Sequence, residues 1–306
     1  MKSTDENTRG QPARDRASGG HPYRSVLYMP GSNPRALDKA KSLPADALIL
    51  DLEDAVTPPE KPRARALVAE AVRSGGYGAR RLITRINALA NEWGAADLAG
   101  AAAAGPDAIL VPKVEAPADV HAVAERMGAA PAETAIWAMM ETPRGALGAA
   151  AIAASHPRLT GFVLGTNDLA KDIGCAQRPD RLPLIAALSL CLMAARAEGL
   201  VCIDGVYNAF QDEDGLRAEC GQGRDLGFDG KTLIHPRQLA IANEVFAPAP
   251  AALERARAEL AAFEEAEAGG AGVAVLDGRI GENLHVEAAR RLIARAARIA
   301  ELEAAG

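Results

Sequence analysis

The sequence predicts an α/β fold, a (β/α)8 TIM barrel with a C-terminal helical extension. Eight short aliphatic segments alternate with longer Ala- and Leu-rich stretches that have helical spacing. Segments such as LILDL and AILV lack polar alternation, which is typical of parallel strands buried on both faces. A polar or turn-forming residue follows every segment. Eight parallel strands separated by helices favour a closed barrel over an open sheet.

The predicted strands follow one another at intervals of about one βα unit. They are Ser25–Met29, Ala47–Leu52, Leu82–Ile86, Ala108–Val111, Ala135–Met140, Phe162–Gly165, Leu200–Ile203 and Gly230–Ile234. The helices between them have recognisable ends. Asn33 is a predicted N-cap before Pro34, and the helix Lys61–Val72 ends near Gly75.

The chain divides into three predicted regions. Residues 1–22 are polar, without the apolar centre of a signal peptide, and are expected to be a disordered tail. Residues 23–248 form the barrel. Residues 249–306 form an extension with helices at Ala251–Ala266 and about His285–Leu302, an apolar run at Gly272–Leu276 and a turn at 277–278. The residues alone leave open whether this extension caps its own subunit or reaches a neighbour.

Composition excludes several classes of protein. The formal net charge is -6 and the pI is near 5.5, which argues against a nucleic-acid surface. No apolar run approaches the length of a membrane span. The four cysteines show no CxxC spacing, a pattern typical of reduced thiols in a cytoplasmic protein rather than of disulfides or a zinc site.

The polar residues after the strands predict one site, because the C-terminal strand ends of a barrel meet at a single mouth. Two of them, Glu141 and Asp168, follow neighbouring strands and are the predicted metal ligands. Two carboxylates with positions left for water and substrate oxygens suit Mg²⁺. The alternative for either acid is an ion pair with Arg85 or Arg144.

Arg85 is the predicted binding group for a substrate carboxylate, since its guanidinium is a planar bidentate donor. The alternative is a salt bridge with the acidic cluster Asp51, Glu53 and Asp54, and both can hold at once. We therefore include Glu53 and Asp54 among the predicted catalytic residues, with the role of orienting Arg85 rather than reacting with the substrate.

Two further groups are predicted to bind substrate. Gly165, Thr166 and Asn167 form a turn whose backbone N–H groups can meet keto or carboxylate oxygens, although a glycine after a strand is usually only a turn. A basic set around the first βα unit is expected to meet ligand phosphates, the alternative being a solvated helix face; it comprises Arg24, Arg35, Lys39 and Lys41. His235, at the end of the eighth predicted strand, is at least as consistent with a structural histidine bonded to the backbone as with a catalytic one.

The order of the motifs resembles a known family. RSVLYMPGSNPRALDKA, ADALILDLEDAV, TRIN, VPKVE, METPRGAL, GTNDLAKDIG and GFDGKTLIHPRQ run from Arg24 to about Ala247. Together they are similar to the HpcH/HpaI aldolase–citrate lyase β-subunit-like superfamily, in particular its CoA-ester lyase branch with malyl-CoA and citramalyl-CoA lyases.

The resemblance implies a chemistry. It places Mg²⁺ on Glu141 and Asp168 and a substrate carboxylate on Arg85. The implied reaction is cleavage of a 3-hydroxyacyl-CoA thioester to acetyl-CoA or propionyl-CoA and glyoxylate or pyruvate, or the reverse, with thioester hydrolysis as a possible side activity. The implied partners are an acyl-CoA, a small 2-oxo acid and further copies of the chain in a trimer or hexamer.

The resemblance also implies that the C-terminal segment covers a neighbour's active site and carries a catalytic acid. The family pattern G-x-M-[IV]-D-x-P corresponds here to GRIGENL, so Glu282 stands at the aspartate position and the proline is missing. The alternative for Glu282 is an acid at the start of the last helix, where it meets the helix dipole.

Two other functions remain open. One is a CoA-free class II pyruvate aldolase of the same superfamily, although those enzymes tend to have a histidine near the position of Asp54 and to lack the long extension. The other is a citrate lyase β-subunit that acts with an acyl carrier protein.

Overall fold

The structure is a computed structural model that describes residues 20–268, 274–276, 279–281 and 283–304. The predicted N-terminal tail up to residue 19 and the predicted turn at 277–278 lie outside the described residues. Contacts divide the chain into a unit at Tyr23–Phe246 and a second unit made of Gly20–Pro22 and Ala247–Ala305.

The first unit is a closed barrel of eight parallel strands, which confirms the predicted fold class. Each strand pairs with the next in the chain, and the last pairs with the first. The strands are β1 (Ser25–Pro30), β2 (Ala47–Asp51), β3 (Arg81–Arg85), β4 (Ala108–Val111), β5 (Ala135–Met140), β6 (Leu159–Leu164), β7 (Val201–Asp204) and β8 (Gly230–Leu233).

Strand β6 begins at Leu159, three residues before the predicted start at Phe162. The sequence pattern indicated the later start because Thr160 and Gly161 interrupt the apolar run. Both residues serve the neighbouring Trp137. The indole Nε1 of Trp137 donates to Thr160 Oγ1 at 3.2 Å. A Cβ at position 161 would lie 2.6 Å from the Trp137 ring, so only glycine leaves room for the indole.

Helices follow the strands. They are α1 (Pro34–Lys39), α2 (Lys61–Ser74), α3 (Gly94–Ala104), α4 (Pro117–Arg126), α5 (Pro143–Ala153), α6 (Thr166–Ile173), α7 (Ile185–Glu198), α8 (Glu213–Leu226) and α9 (Leu239–Phe246). The predicted N-cap is confirmed: the Asn33 side chain accepts a hydrogen bond from the Ala36 N–H at 3.1 Å. Helix α2 ends at Gly75, whose φ of 62° favours glycine.

The strands present alternate residues to the barrel interior. The interior cluster includes Val26, Ile49, Ile83 and Met139. Two residues further along the same strands come Tyr28, Asp51, Arg85 and Glu141. The alternation therefore turns these four side chains toward the interior at the C-terminal mouth.

The second unit contains helix α10 (Pro250–Ala268), an antiparallel pair β9 (Ala274–Leu276) and β10 (Arg279–Gly281), and helix α11 (Asn283–Ala304). Both predicted extension helices are present, each extended by one or two residues at its ends, and they pack against each other. Within the described residues, no helix combines the length and apolar character that crossing a bilayer requires.

Candidate active site

Glu141 lies directly after β5 and is only 1% exposed. Its Oε1 accepts a hydrogen bond from the backbone N–H of Lys113 at 2.8 Å. Burial raises the pKa of Glu141 to about 7, against the lowering effect of Lys113. A Cβ at Gly165 would lie 2.6 Å from Glu141 Oε2. Gly165 is therefore the residue that lets the β6 end approach this carboxylate.

Asp168 lies in the first turn of α6, and its side chain is 37% exposed. The Lys113 ammonium lies 3.7 Å from Asp168 Oδ1. Lys113 thus contacts both acids, Glu141 through its backbone and Asp168 through its side chain. Its φ of 52° is in the left-handed region, uncommon for a residue other than glycine. The structure brings the two predicted metal ligands together around this lysine.

The donor set fits a hard divalent cation. Among the described residues, no group of three or more histidine, cysteine, aspartate or glutamate side chains is arranged to hold a metal ion. Glu141 and Asp168 supply two carboxylates, one buried and one open to solvent. Mg²⁺ is commonly held by one or two carboxylates, with its other positions filled by water and substrate oxygens.

Arg85 is held by three acids. Its Nε and Nη2 donate to the two oxygens of Asp51, both at 2.7 Å. Its Nη1 lies 3.0 Å from Glu53 Oε2 and 3.3 Å from Asp54 Oδ2. The salt bridge considered from the sequence is therefore present. Asp51 occupies Nε and Nη2, and Glu53 and Asp54 contact Nη1, so a carboxylate ligand of Arg85 would have to displace Glu53 or Asp54 from Nη1.

Glu53 and Asp54 differ in their environment. Burial raises the pKa of Glu53 to about 8; the nearby acids, Asp54 foremost, add to the rise, and Arg85 opposes it. The Asp54 side chain is largely exposed. Asp51 also shapes the loop that carries both residues, since its oxygens accept from the backbone N–H groups of Glu53 at 2.9 Å and Ala55 at 3.0 Å.

Comparison with known proteins decides the family. The family model described as HpcH/HpaI aldolase/citrate lyase matches residues 24–236, most of the chain. The chain belongs to the HpcH/HpaI aldolase/citrate lyase family. The resemblance stated from the motifs is confirmed.

Relatives within the HpcH/HpaI family differ in their named activities. A (3S)-malyl-CoA thioesterase of Cereibacter sphaeroides is 60% identical over 284 residues, which cover 93% of this chain and 98% of that protein. The citrate lyase subunit beta of Escherichia coli is 34% identical over 280 residues, covering 89% of this chain and 93% of that protein.

Solved structures of the family share the fold. CitE of Mycobacterium tuberculosis in complex with magnesium, acetoacetate and coenzyme A matches with a TM-score of 0.74 and 29% identity, covering 91% of this chain and 99% of that one. The citrate lyase beta subunit of the same organism, complexed with oxaloacetate and magnesium, matches with a TM-score of 0.65 and 30% identity, covering 76% and 100%.

The predicted basic set of this HpcH/HpaI family member is not gathered in one place. Arg24 lies before β1, at the opposite end of the strand from the mouth, and is 3% exposed. Its Nε and Nη2 donate to Asp46 at 3.0 and 2.9 Å. Arg24 therefore does not belong with the substrate-binding residues. Arg35 and Lys39 are exposed on α1, which follows the β1 end at the mouth.

Thr166 and Asn167, predicted from the sequence to form a turn with Gly165, are the first two residues of α6. Thr166 is buried, and a Cβ at Gly205 would lie 2.4 Å from its Oγ1. The side-chain amides of Asn167 and Asn208 exchange hydrogen bonds of 3.2 and 2.8 Å, which connect the loops after β6 and β7. His235 Nδ1 accepts from the Arg237 N–H at 3.1 Å, a structural role.

Sequence reasoning missed the residues that support the acidic loop. Lys61 Nζ donates to the carbonyls of Leu52 and Glu53 at 2.8 and 2.7 Å and to Asn87 Oδ1 at 2.8 Å. No spacing or charge pattern in the sequence singles out Lys61. Lys113 follows the predicted strand Ala108–Val111 within the VPKVE motif, and nothing else in the sequence indicates its contacts. Glu282 lies outside the described residues.

Proposed function

We propose that this protein is a Mg²⁺-dependent enzyme that acts on malyl-CoA, and that its principal reaction is hydrolysis of the thioester to malate and CoA. The observation that carries the proposal is the pair Glu141 and Asp168 around Lys113, beside Arg85 at the same mouth. The choice of substrate and reaction is supported by the relatives named (3S)-malyl-CoA thioesterase at 60% identity.

Each residue has a role in this proposal. Glu141 and Asp168 would hold Mg²⁺, which supplies a Lewis acid and a template for the substrate oxygens. Arg85, oriented by Asp51, would bind the free carboxylate of the malyl group through Nη1. Glu53 and Asp54 would have to move aside from Nη1, and the raised pKa of Glu53, about 8, would make this acid the easier one to displace. Arg35 and Lys39 on α1 are proposed to meet the CoA phosphates.

Hydrolysis requires a proton transfer. The oxygen of water bonds to the thioester carbonyl carbon, the carbon–sulfur bond breaks, and the proton passes to the leaving thiolate. Glu282 is our proposed base, on the strength of its position in the sequence alone. A positioned general base is worth about 10²–10⁴-fold in rate.

Carbon–carbon cleavage, the reaction predicted from the sequence, is the second candidate. It is supported by the CitE structures, which hold magnesium with acetoacetate or pyruvate, because the same oxygens would be bound during cleavage. The carrier-protein role of a citrate lyase subunit is weaker, since the relatives with that name are less similar.

The products distinguish the two candidates. We expect malyl-CoA and Mg²⁺ to give malate and free CoA in equal amounts, measured by thiol titration and chromatography. If acetyl-CoA and glyoxylate form instead, the principal reaction is carbon–carbon cleavage and not hydrolysis. Absence of both product pairs, or activity that survives both EDTA and Glu141→Ala, would contradict the proposed function.

We also propose that the enzyme is a homo-oligomer in the cytoplasm. Residues 182–195 contain no charged residue, and α7 presents Leu190 and Met193 to solvent, 43% and 62% exposed. Leu147 on the adjacent helix α5 is 82% exposed. A helix that is apolar all round is normally covered, and a second copy offers the matching uncharged face. The four unpaired cysteines are consistent with a reducing compartment.

Light scattering after size exclusion tests the oligomer. We expect a mass of two or more chains for the native protein and a smaller mass for Met193→Glu. A native monomer, or an unchanged mass for both Met193→Glu and Leu147→Glu, would contradict the assembly through this face.

A further inference from the structure

We infer that Tyr28 is a substrate-binding residue whose hydroxyl donates a hydrogen bond to an oxygen of the bound small acid. This inference rests on the proposed function, because it assumes that a carboxylic acid binds beside Arg85. Tyr28 lies on β1, two residues after the inward-facing Val26. Its side chain packs against the interior cluster near the mouth.

The hydroxyl of Tyr28 is buried and has no hydrogen-bond partner. A buried donor without a partner is costly, and such a group in a folded protein calls for an explanation. The described residues contain four other buried side-chain atoms of this kind, on Thr84, Ser155, Arg181 and Asn243. Thr84 alternates with the inward-facing Ile83 and Arg85 and so faces outward, and the other three do not lie on strands. Tyr28 is the one that faces the mouth.

The surroundings of Tyr28 define what it can bind. The Arg85 guanidinium carbon lies 4.8 Å from the centre of its ring, a cation–π contact. Burial raises the pKa of the phenol well above its ordinary value, so the group remains an O–H donor. Asp51, Glu141 and Glu53 are its acidic neighbours. Asp51 accepts from Arg85, and Glu141 accepts from the Lys113 N–H. Among the described residues neither these acids nor any other group accepts from the Tyr28 hydroxyl, so the donor is left for an incoming acceptor.

An acceptor beside Arg85 is most simply an oxygen of the acid that Arg85 binds. The guanidinium edge at Nη1 and the hydroxyl of Tyr28 then contact the ligand from two sides. The chemical class recognised is a short 2-oxo or 2-hydroxy acid, whose carboxylate and adjacent oxygen satisfy both donors. Tyr28 would thus select for an oxygen that a simple acyl chain lacks.

The test is Tyr28→Phe, which keeps the ring over Arg85 and removes only the hydroxyl. Titration calorimetry with glyoxylate and with malate, at saturating Mg²⁺, measures the Kd of each acid for the native protein and the variant. We expect the Kd to rise about tenfold, the effect of losing a hydrogen bond to a charged group. The thermal unfolding midpoint should not fall, since the lost group had no partner.

Tyr23→Phe is the matched control. Tyr23 is a buried tyrosine just before β1, with its ring 5.2 Å from that of Trp137, at the end of the barrel away from the mouth. This variant should bind both acids as the native protein does.

The outcomes separate this inference from the proposed function. Equal Kd values for native protein and Tyr28→Phe would overturn the role of Tyr28, whatever the products of malyl-CoA. If Tyr28→Phe raises the Kd of the acids but the native protein does not turn over malyl-CoA, the role of Tyr28 is supported and the proposed reaction is contradicted. Native protein that binds neither acid would overturn the inference, and the product assay would still decide the reaction.

Discussion

Two groups of charges, on opposite sides of the barrel wall, behave differently. One lies outside β7 and β8, where Lys231 Nζ contacts Asp204 at 3.0 Å and Glu219 at 2.6 Å, and Arg181 Nη1 contacts Asp204 at 2.7 Å. The other lies at the mouth, where Glu141 accepts from the Lys113 N–H and Asp168 lies 3.7 Å from the Lys113 ammonium. We call them the wall cluster and the mouth pair.

Asp204 and Glu141, the most buried acid of each group, differ in compensation rather than in burial. Asp204 is fully buried, yet its pKa is lowered, because Lys231 and Arg181 outweigh the effect of burial. Glu141 is almost as buried, and its pKa is raised to about 7. In the wall cluster two cations meet two acids. At the mouth the Lys113 ammonium faces both Glu141 and Asp168, and Arg85, which also lowers the pKa of Glu141, is itself paired with Asp51. This arrangement leaves negative charge for a ligand cation to balance.

The largest expected effect follows from removing one acid of the mouth pair. Glu141→Gln should reduce kcat/KM on malyl-CoA by on the order of 10³-fold, because the metal contributes several kcal/mol to catalysis. Steady-state kinetics across a Mg²⁺ series measures this. Glu115→Gln, which removes an acid paired with Arg144 on the surface, is the control and should keep native activity. If Glu141→Gln and Glu115→Gln have the same kcat/KM, the mouth pair has no special role in catalysis.

The wall cluster should respond in stability. Lys231→Met leaves Asp204 and Glu219 without their shared ammonium and should lower the free energy of unfolding by about 3 kcal/mol. Urea unfolding followed by circular dichroism measures the loss. Glu141→Gln, by comparison, should unfold without Mg²⁺ at the native urea concentration or above it. A larger destabilisation from Glu141→Gln than from Lys231→Met would break the comparison.

Arg85 sharpens the comparison from the substrate side. Arg85→Lys keeps the charge but loses the two parallel bonds to Asp51 and the oriented Nη1 edge. We expect kcat/KM to fall about thirtyfold, the size of one or two charged hydrogen bonds. Most of the loss should appear in KM. A loss confined to kcat would mean that Arg85 acts in the reaction and not in binding.

Glu53 gives the smallest effect and a pH signature. Its folded pKa of about 8 is raised above that of an exposed glutamate. Between these values the folded chain binds more protons than the unfolded chain, so stability falls as the pH rises. Without Mg²⁺, the native protein should lose on the order of 2 kcal/mol relative to Glu53→Gln between about pH 5 and about pH 8. Parallel pH profiles for the two proteins would show that Glu53 ionises normally.

The barrel could be predicted because each strand is buried on both faces and is therefore a short continuous apolar run. This pattern does not depend on the loops or on partner molecules. It placed Glu141, Asp168 and Arg85 at one mouth because the direction of parallel strands fixes which ends meet. The same rule separates Arg24 from the mouth, since Arg24 precedes its strand. The predicted basic set spans both ends of β1, and Arg35 and Lys39, which follow the strand, lie at the mouth end.

Other features depend on contacts between distant segments. Lys61 reaches its carbonyl partners across the loop after β2, and Asn87 belongs to the loop after β3. The role of Lys113 follows from a left-handed backbone conformation that its residue type does not favour. The glycine at position 161 in β6 is explained by the size of Trp137 on the neighbouring strand. None of these has a periodic pattern in the sequence.

The most direct test of the central claim is Mg²⁺ binding measured by calorimetry on the native protein, Glu141→Gln, Asp168→Asn and the control Glu115→Gln. The account predicts one Mg²⁺ for each chain of the native protein and of the control, and loss of that binding in both mouth variants. Native protein that binds no Mg²⁺, or mouth variants that bind it with native affinity, would contradict the account.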